Sequence, residues 1–202
     1  MSAFLAPIHF WLYHKIIMQE RLTKALADGA RREGWQVVAS GELINECVNT
    51  DETPLENIID QGNIHAWLQA RIIDAESRYA RLVKEILNES SARLVILENL
   101  AYEFGRENQL KPCNNATEAF RALDEILLDG MPCDRVNQPL EQDEKRYRWK
   151  RTADIHGMRW TEIGADGTTY YILRAAFVKG VFENSTFDFI DYQDGSYEII
   201  KA

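Results

Sequence analysis

The sequence predicts an α+β fold in which a helical bundle-like N-terminal two-thirds packs against a small C-terminal antiparallel sheet. Two observations predict it. Apolar residues recur at helical spacing in long runs through about residue 128, whereas beyond about residue 145 they alternate with polar ones, as along a half-buried strand. With 202 residues, 46% of them apolar, the chain can bury a core without disulfides or a structural metal. We expect one domain over 1–202, with a helical part at 1–135 and a strand-rich part at 145–202.

Pro7 suits a first helical turn, and the periodicity from Ile8 to Leu26 predicts a helix. Its first half is apolar nearly all round: Phe10, Trp11, Leu12 and Tyr13 are consecutive, and Ile16, Ile17 and Met18 follow. Four successive helical positions span most of the circumference, so one packing face cannot cover them. That predicts either a homodimer through the Leu5, Trp11 and Met18 region or a helix wrapped by the rest of the chain. His9, His14 and Lys15 interrupt any membrane-spanning run, and no basic stretch precedes it as a secretion signal would require.

Gly34 and Gly41 interrupt the segment from Gly29 to Cys47, which suits a helix, a loop and another short helix. Thr53-Pro54-Leu55-Glu56 reads as a helix start capped by Thr53. Ile64 to Leu87 carries the clearest apolar stripe, and a helix from Ala92 to Glu107 turns Leu94, Val95, Leu97, Leu100, Ala101 and Phe104 inward. Asn115 with Glu118 opens a further helix that ends before Gly130 and Pro132. In Arg146 to Arg151, Tyr147 and Trp149 alternate with cations as in a strand. A turn at Gly164 to Gly167 predicts a hairpin between Met158–Ile163 and Thr168–Phe177, with Arg174 to Phe182 suiting either state. Asp194-Gly195 predicts a second hairpin.

The formal net charge of -9 works against a general polyanion-binding role. Cys47, Cys113 and Cys133 are odd in number and form no CxxC pair, which points to reduced thiols and the cytoplasm. His9 and His14 diverge by about 140° on one helix, and Glu20 lies about 16 Å from His9 along the axis, so they do not share an ion. No HExxH or Glu-x-x-His spacing supports a metal site, and no cofactor is indicated. His9 or His65 with Glu98 or Glu103 from another helix is the remaining metal arrangement, weighed against histidines satisfied by one hydrogen bond each.

The run Lys145 to Arg151 interleaves aromatics and cations, the chemistry of nucleic-acid stacking, but its neighbours Glu141 to Glu144 cancel charge and the aromatic pair suits a core. The leading expectation is a non-enzymatic small-ligand-binding or accessory protein. Its pocket would lie between the helical body and the sheet, lined by Arg148, Trp149, Arg151, His156, Arg159, Trp160, Tyr170 and Tyr171. A hydrolase or lyase using His156 with Asp154 or Glu162 is the alternative, and a structural interaction module is a third. Cys133, beside Arg135, is the cysteine best placed for reactivity.

Overall fold

The computed structural model describes residues 4–202. Helix α1 (Pro7–Arg32) has Pro7 in its first turn and is about 39 Å long. Two short elements follow, a 3-10 turn at Gln36–Val38 and α2 (Glu42–Cys47). Helix α3 (Leu55–Ile58) starts one residue later than the capping pattern predicts. The Thr53 hydroxyl donates instead to Asp51 Oδ1 at 2.5 Å, so it does not cap the helix. Helix α4 (Ile64–Glu89) is capped by Asn63, and α5 (Leu94–Glu107) buries Leu97, Ala101 and Phe104. Val95, expected inward, is 63% exposed because it lies off that face.

Asn115 accepts the Glu118 N–H at 2.9 Å to cap α6 (Ala116–Asp124). The reciprocal bond falls one residue early, with Glu118 Oε2 accepting the Asn114 N–H.

Four antiparallel strands form the sheet in the order β1-β2-β4-β3. They are β1 (Asn137–Gln142), β2 (Arg146–Arg151), β3 (Phe187–Asp191) and β4 (Ser196–Lys201). β1 was not anticipated, since almost all of it is exposed and Pro139 sits within it; a proline is tolerated there because β1 is an edge strand. The register places Tyr147, Ile199 and Phe189 on one face, with Trp149 beside Tyr197. Phe120 of α6 stacks on Tyr147 at 4.0 Å between ring centroids.

The expected hairpin at 158–177 is instead a helix pair. The turn at Gly164 is present, but α7 (Ile155–Glu162) precedes it and α8 (Gly167–Val181) follows. Asp154 accepts the Gly157 N–H at 2.8 Å and Asp166 accepts the Thr168 N–H at 2.9 Å, so each helix begins on an acidic cap. Tyr170, Leu173, Phe177 and Val181 are buried at helical spacing, and their packing outweighs the few tenths of a kcal/mol by which each aromatic or β-branched residue disfavours a helix. Where α8 crosses α5, a Cβ on Gly105 would meet Phe177 O at 2.1 Å and one on Gly180 would meet Tyr102 O at 2.0 Å.

The main core draws on α1, α2, α4 to α8 and the sheet in one cluster. A second gathers Leu12 and Ile16 of α1 with Leu55, Ile59, Ile64, Leu68, Ile72, Ala75, Leu128 and Met131. Met18 is buried in the main core, which removes it from any intersubunit surface. Trp11 is half-buried, with Lys15 Nζ 3.5 Å from its ring centre, while Phe4, Ile8 and Phe10 remain exposed. No helix among the described residues is long and apolar enough to cross a membrane.

Candidate functional site

A groove of about 1270 Å³ opens between α5, the α7–α8 pair and the turn joining β3 to β4. Its geometry begins with local capping. Asp154 begins α7, and Tyr171, projecting from the first turns of α8, donates its hydroxyl to the same carboxylate. Arg151, beyond the core at the end of β2, lays its guanidinium 3.7 Å from the Tyr171 ring centre and donates to the Tyr197 hydroxyl at 3.4 Å. Burial, followed by the bond to Asp154, pushes the Tyr171 pKa up, so its proton stays on the oxygen. Glu98, Asn99 and Tyr102 line it from α5, and the small side chains of Ala175 and Ala176 leave room along its α8 side. Gly167 is required here, since its Cβ would meet Gly157 O at 2.6 Å and hold α7 and α8 apart.

Of the sequence-predicted ligand residues, the groove brings together Arg151 and Tyr171. Trp149, Trp160 and Tyr170 are core residues. Arg148 lies on the opposite face of β2, 5.0 Å from the Tyr192 ring. Its neighbour Arg146 contacts buried Glu198 at 2.7 Å, so part of the basic run is neutralised within the sheet.

Asp154 and Glu162 line the groove, but His156 does not. The helical turn that places Gly157 in the groove rotates His156 inward, where it is 1% exposed and stacks on Tyr170 at 4.2 Å. His156 and the groove carboxylates therefore do not face a common substrate.

Instead, His156 belongs to a buried charge cluster. Its Nδ1 lies 2.7 Å from Glu76 Oε1, an ion-pair contact, and its Nε2 is 3.3 Å from Asp129 Oδ1. Arg174 spans both Asp129 oxygens at 2.5 and 2.9 Å, Asn137 donates to Asp129 Oδ2 at 2.7 Å, and Arg159 Nε lies 2.8 Å from Glu76 Oε2. Lys15, 2% exposed, pairs nearby with Asp124 at 2.8 Å.

Burial alone would lower the His156 pKa, but Glu76 and Asp129 outweigh it and leave the value raised above 6.5. Burial would raise Asp129, yet Arg174 and His156 hold it well below 3.8. Stability from His156 is thus complete below its unfolded pKa of about 6.5 and is lost as pH rises through the higher folded value. That from Asp129 is complete above its unfolded pKa and is lost as pH falls through the lower folded one. Urea unfolding between about pH 6 and pH 8 should show wild-type stability falling with pH, a slope that His156→Gln reduces because it no longer titrates there.

Glu76, Asp129, Arg174 and Lys15 were missed by sequence reasoning. A signal existed for three of them: Glu76 lies within the stripe Ile72, Ala75, Tyr79 and Val83, Arg174 between Leu173 and Phe177, and Lys15 between Leu12 and Ile16. A charge within an apolar stripe requires a buried partner. Asp129 lies in a connector and carries no such mark.

Cys133 is exposed, with its thiol 4.0 Å from Asp134 Oδ1, and burial pushes the Cys47 thiol up to about 11. Cys113 is half-buried and donates to Lys111 O at 3.2 Å. His9 Nδ1 accepts the Ala6 N–H at 3.0 Å, and its ring meets that of His65 edge to face at 5.7 Å. Among the described residues, no three or more His, Cys, Asp or Glu side chains are arranged to hold a metal ion.

The fold and groove define an α+β protein with an open, tyrosine-lined cleft of mixed polar and apolar surface beside a closed ionic core. No family model matches the chain, and no curated protein or solved structure matches it significantly.

Proposed function

We propose that this is a non-enzymatic binding protein whose ligand lies in the groove between α5, the α7–α8 pair and the β3–β4 turn. The groove itself carries this reading: it is an open concavity at a junction of layers, with polar groups converging on Tyr171. Glu98, Asp154, Glu162, Asp166 and Asp191 outnumber Arg151 and Lys179 along it, which favours a ligand bearing positive charge. The acid/base alternative has weaker support, because Asp154 and Glu162 line the groove without His156.

A thermal-shift screen of polyamines, aminoglycosides and basic peptides at low salt tests this reading. A ligand at about 100 times its Kd stabilises the protein by about 2.7 kcal/mol, and Ala176→Trp, which places a large ring in the groove, should abolish that gain. Hits that stabilise Ala176→Trp and wild type equally would place the ligand elsewhere. No hit across these cationic classes would count against the ligand chemistry.

A second reading is a homodimer through the start of α1, favoured by the exposure of Phe4, Ile8 and Phe10 at 81%, 48% and 42%. Sedimentation at rising concentration should reveal a dimer that the double variant Ile8→Glu, Phe10→Glu dissociates while its circular dichroism stays unchanged. Trp11 is a poorer probe, since it also packs against the second cluster. A wild-type chain that stays monomeric at high concentration ends this reading.

A further inference from the structure

We propose that a small, partly enclosed pocket between α1, α4, α8 and the segment 126–128 is a binding site for one water molecule, held by Gln19 and Tyr79 and completed by Tyr170. The cavity has a volume of about 20 Å³, enough for one water and too small for an organic ligand. Met18, Leu22 and Phe177 make most of its wall apolar. Two of the residues lining it carry a buried polar group with no protein partner, the Gln19 side-chain nitrogen and the Tyr79 hydroxyl. Gln19 is 8% exposed and Tyr79 1%, so bulk solvent does not satisfy them.

The chemistry of these groups fits water. The Gln19 amide only donates through nitrogen, whereas a tyrosine hydroxyl donates once and accepts. One water can accept from Gln19 and donate to Tyr79. The Tyr170 hydroxyl, which accepts from Arg174 Nη1 at 3.3 Å, still has its own hydrogen to donate and supplies a third partner. Such a molecule would connect Gln19 and Tyr79 to the Arg174–Asp129 pair without crossing the apolar wall. Leaving a buried polar group unpaired weakens folding by about tenfold or more in the unfolding equilibrium, which sets the scale of the effect.

A crystal structure of the full chain at about 1.5 Å, with water-to-protein nuclear Overhauser measurements on the same protein, tests the proposal. The expected result is one density peak within hydrogen-bond distance of Gln19 Nε2 and Tyr79 Oη, and a long-lived water signal at the Gln19 side-chain amide. Gln19→Leu and Tyr79→Phe each remove a partner. In a double-variant cycle they should couple by about fivefold or more in the unfolding equilibrium, because both act through the same molecule. A dry cavity, a direct bond between the two side chains, or xenon occupying the site under pressure would overturn the proposal. If a variant fails to fold, the wild-type density and water signal still decide it.

Discussion

Replacing Asp129 by alanine is expected to destabilise the fold by about 3–5 kcal/mol, measured by urea or guanidinium unfolding. The carboxylate receives a forked pair from Arg174, a bond from Asn137 and a contact from His156, so its removal leaves buried Arg174 without a counter-charge, while His156 keeps Glu76. Arg174 is the decisive orphan, since a guanidinium stays protonated at any pH at which the protein folds. The double variant Asp129→Ala, Arg174→Met should therefore be more stable than Asp129→Ala alone, because the unpaired charge has gone. A cost below about 1 kcal/mol for Asp129→Ala would mean that solvent reaches the cluster and screens it.

Gly180→Val is expected to cost about 3 kcal/mol, at the upper end for overpacking. Two effects of opposite sign act at this position. A glycine inside a helix is about 1 kcal/mol worse than alanine, so substitution on a free helix would stabilise it. Here a Cβ would stand 2.0 Å from Tyr102 O and 2.9 Å from Arg106 N, both backbone atoms of α5 that cannot rotate away. The clash wins, and α5 and α8 must separate along their contact. Gly105→Ala meets the same obstacle from the other side, at 2.1 Å from Phe177 O. Once the helices have parted, the second substitution has less left to disturb, so the pair should cost less than its sum. Stability equal to wild type in either single variant would show that the two helices can slide apart freely.

Much of the fold was legible where short-range physics is decisive. The long stripe of α4, the Asn115 cap and the alternation in β2 each depend on residues within a few positions of one another. The reading of 158–177 as a hairpin shows the limit of that approach. Aromatic and β-branched residues suit a strand, yet the spacing of Tyr170, Leu173, Phe177 and Val181 matches a helix face, and burial against α5 and α7 decides between them. β1 went unseen because an edge strand needs no apolar alternation when its partner supplies the hydrogen bonds.

The candidate site was legible in part, for a related reason. Arg151, Tyr171, Asp154 and Glu162 were singled out by chemical type and do line the groove, whereas His156, Tyr170, Trp149 and Trp160 were chosen on the same grounds and lie in the core. On a helix, one step along the chain rotates a side chain by about 100°, so of two neighbours whose rings touch, Tyr170 enters the core while Tyr171 lines the groove.

The sequence by itself determined the fold class, the order of helices α1, α4, α5 and α6 and the strand pattern of β2, because periodicity and capping are local properties of the chain. Only the tertiary structure decided that His156 meets Asp129 across 27 positions and Arg174 meets it across 45, and that α5 and α8 touch through their glycines. Those contacts follow from how whole elements pack, since a buried charge takes whichever partner the packing brings within reach.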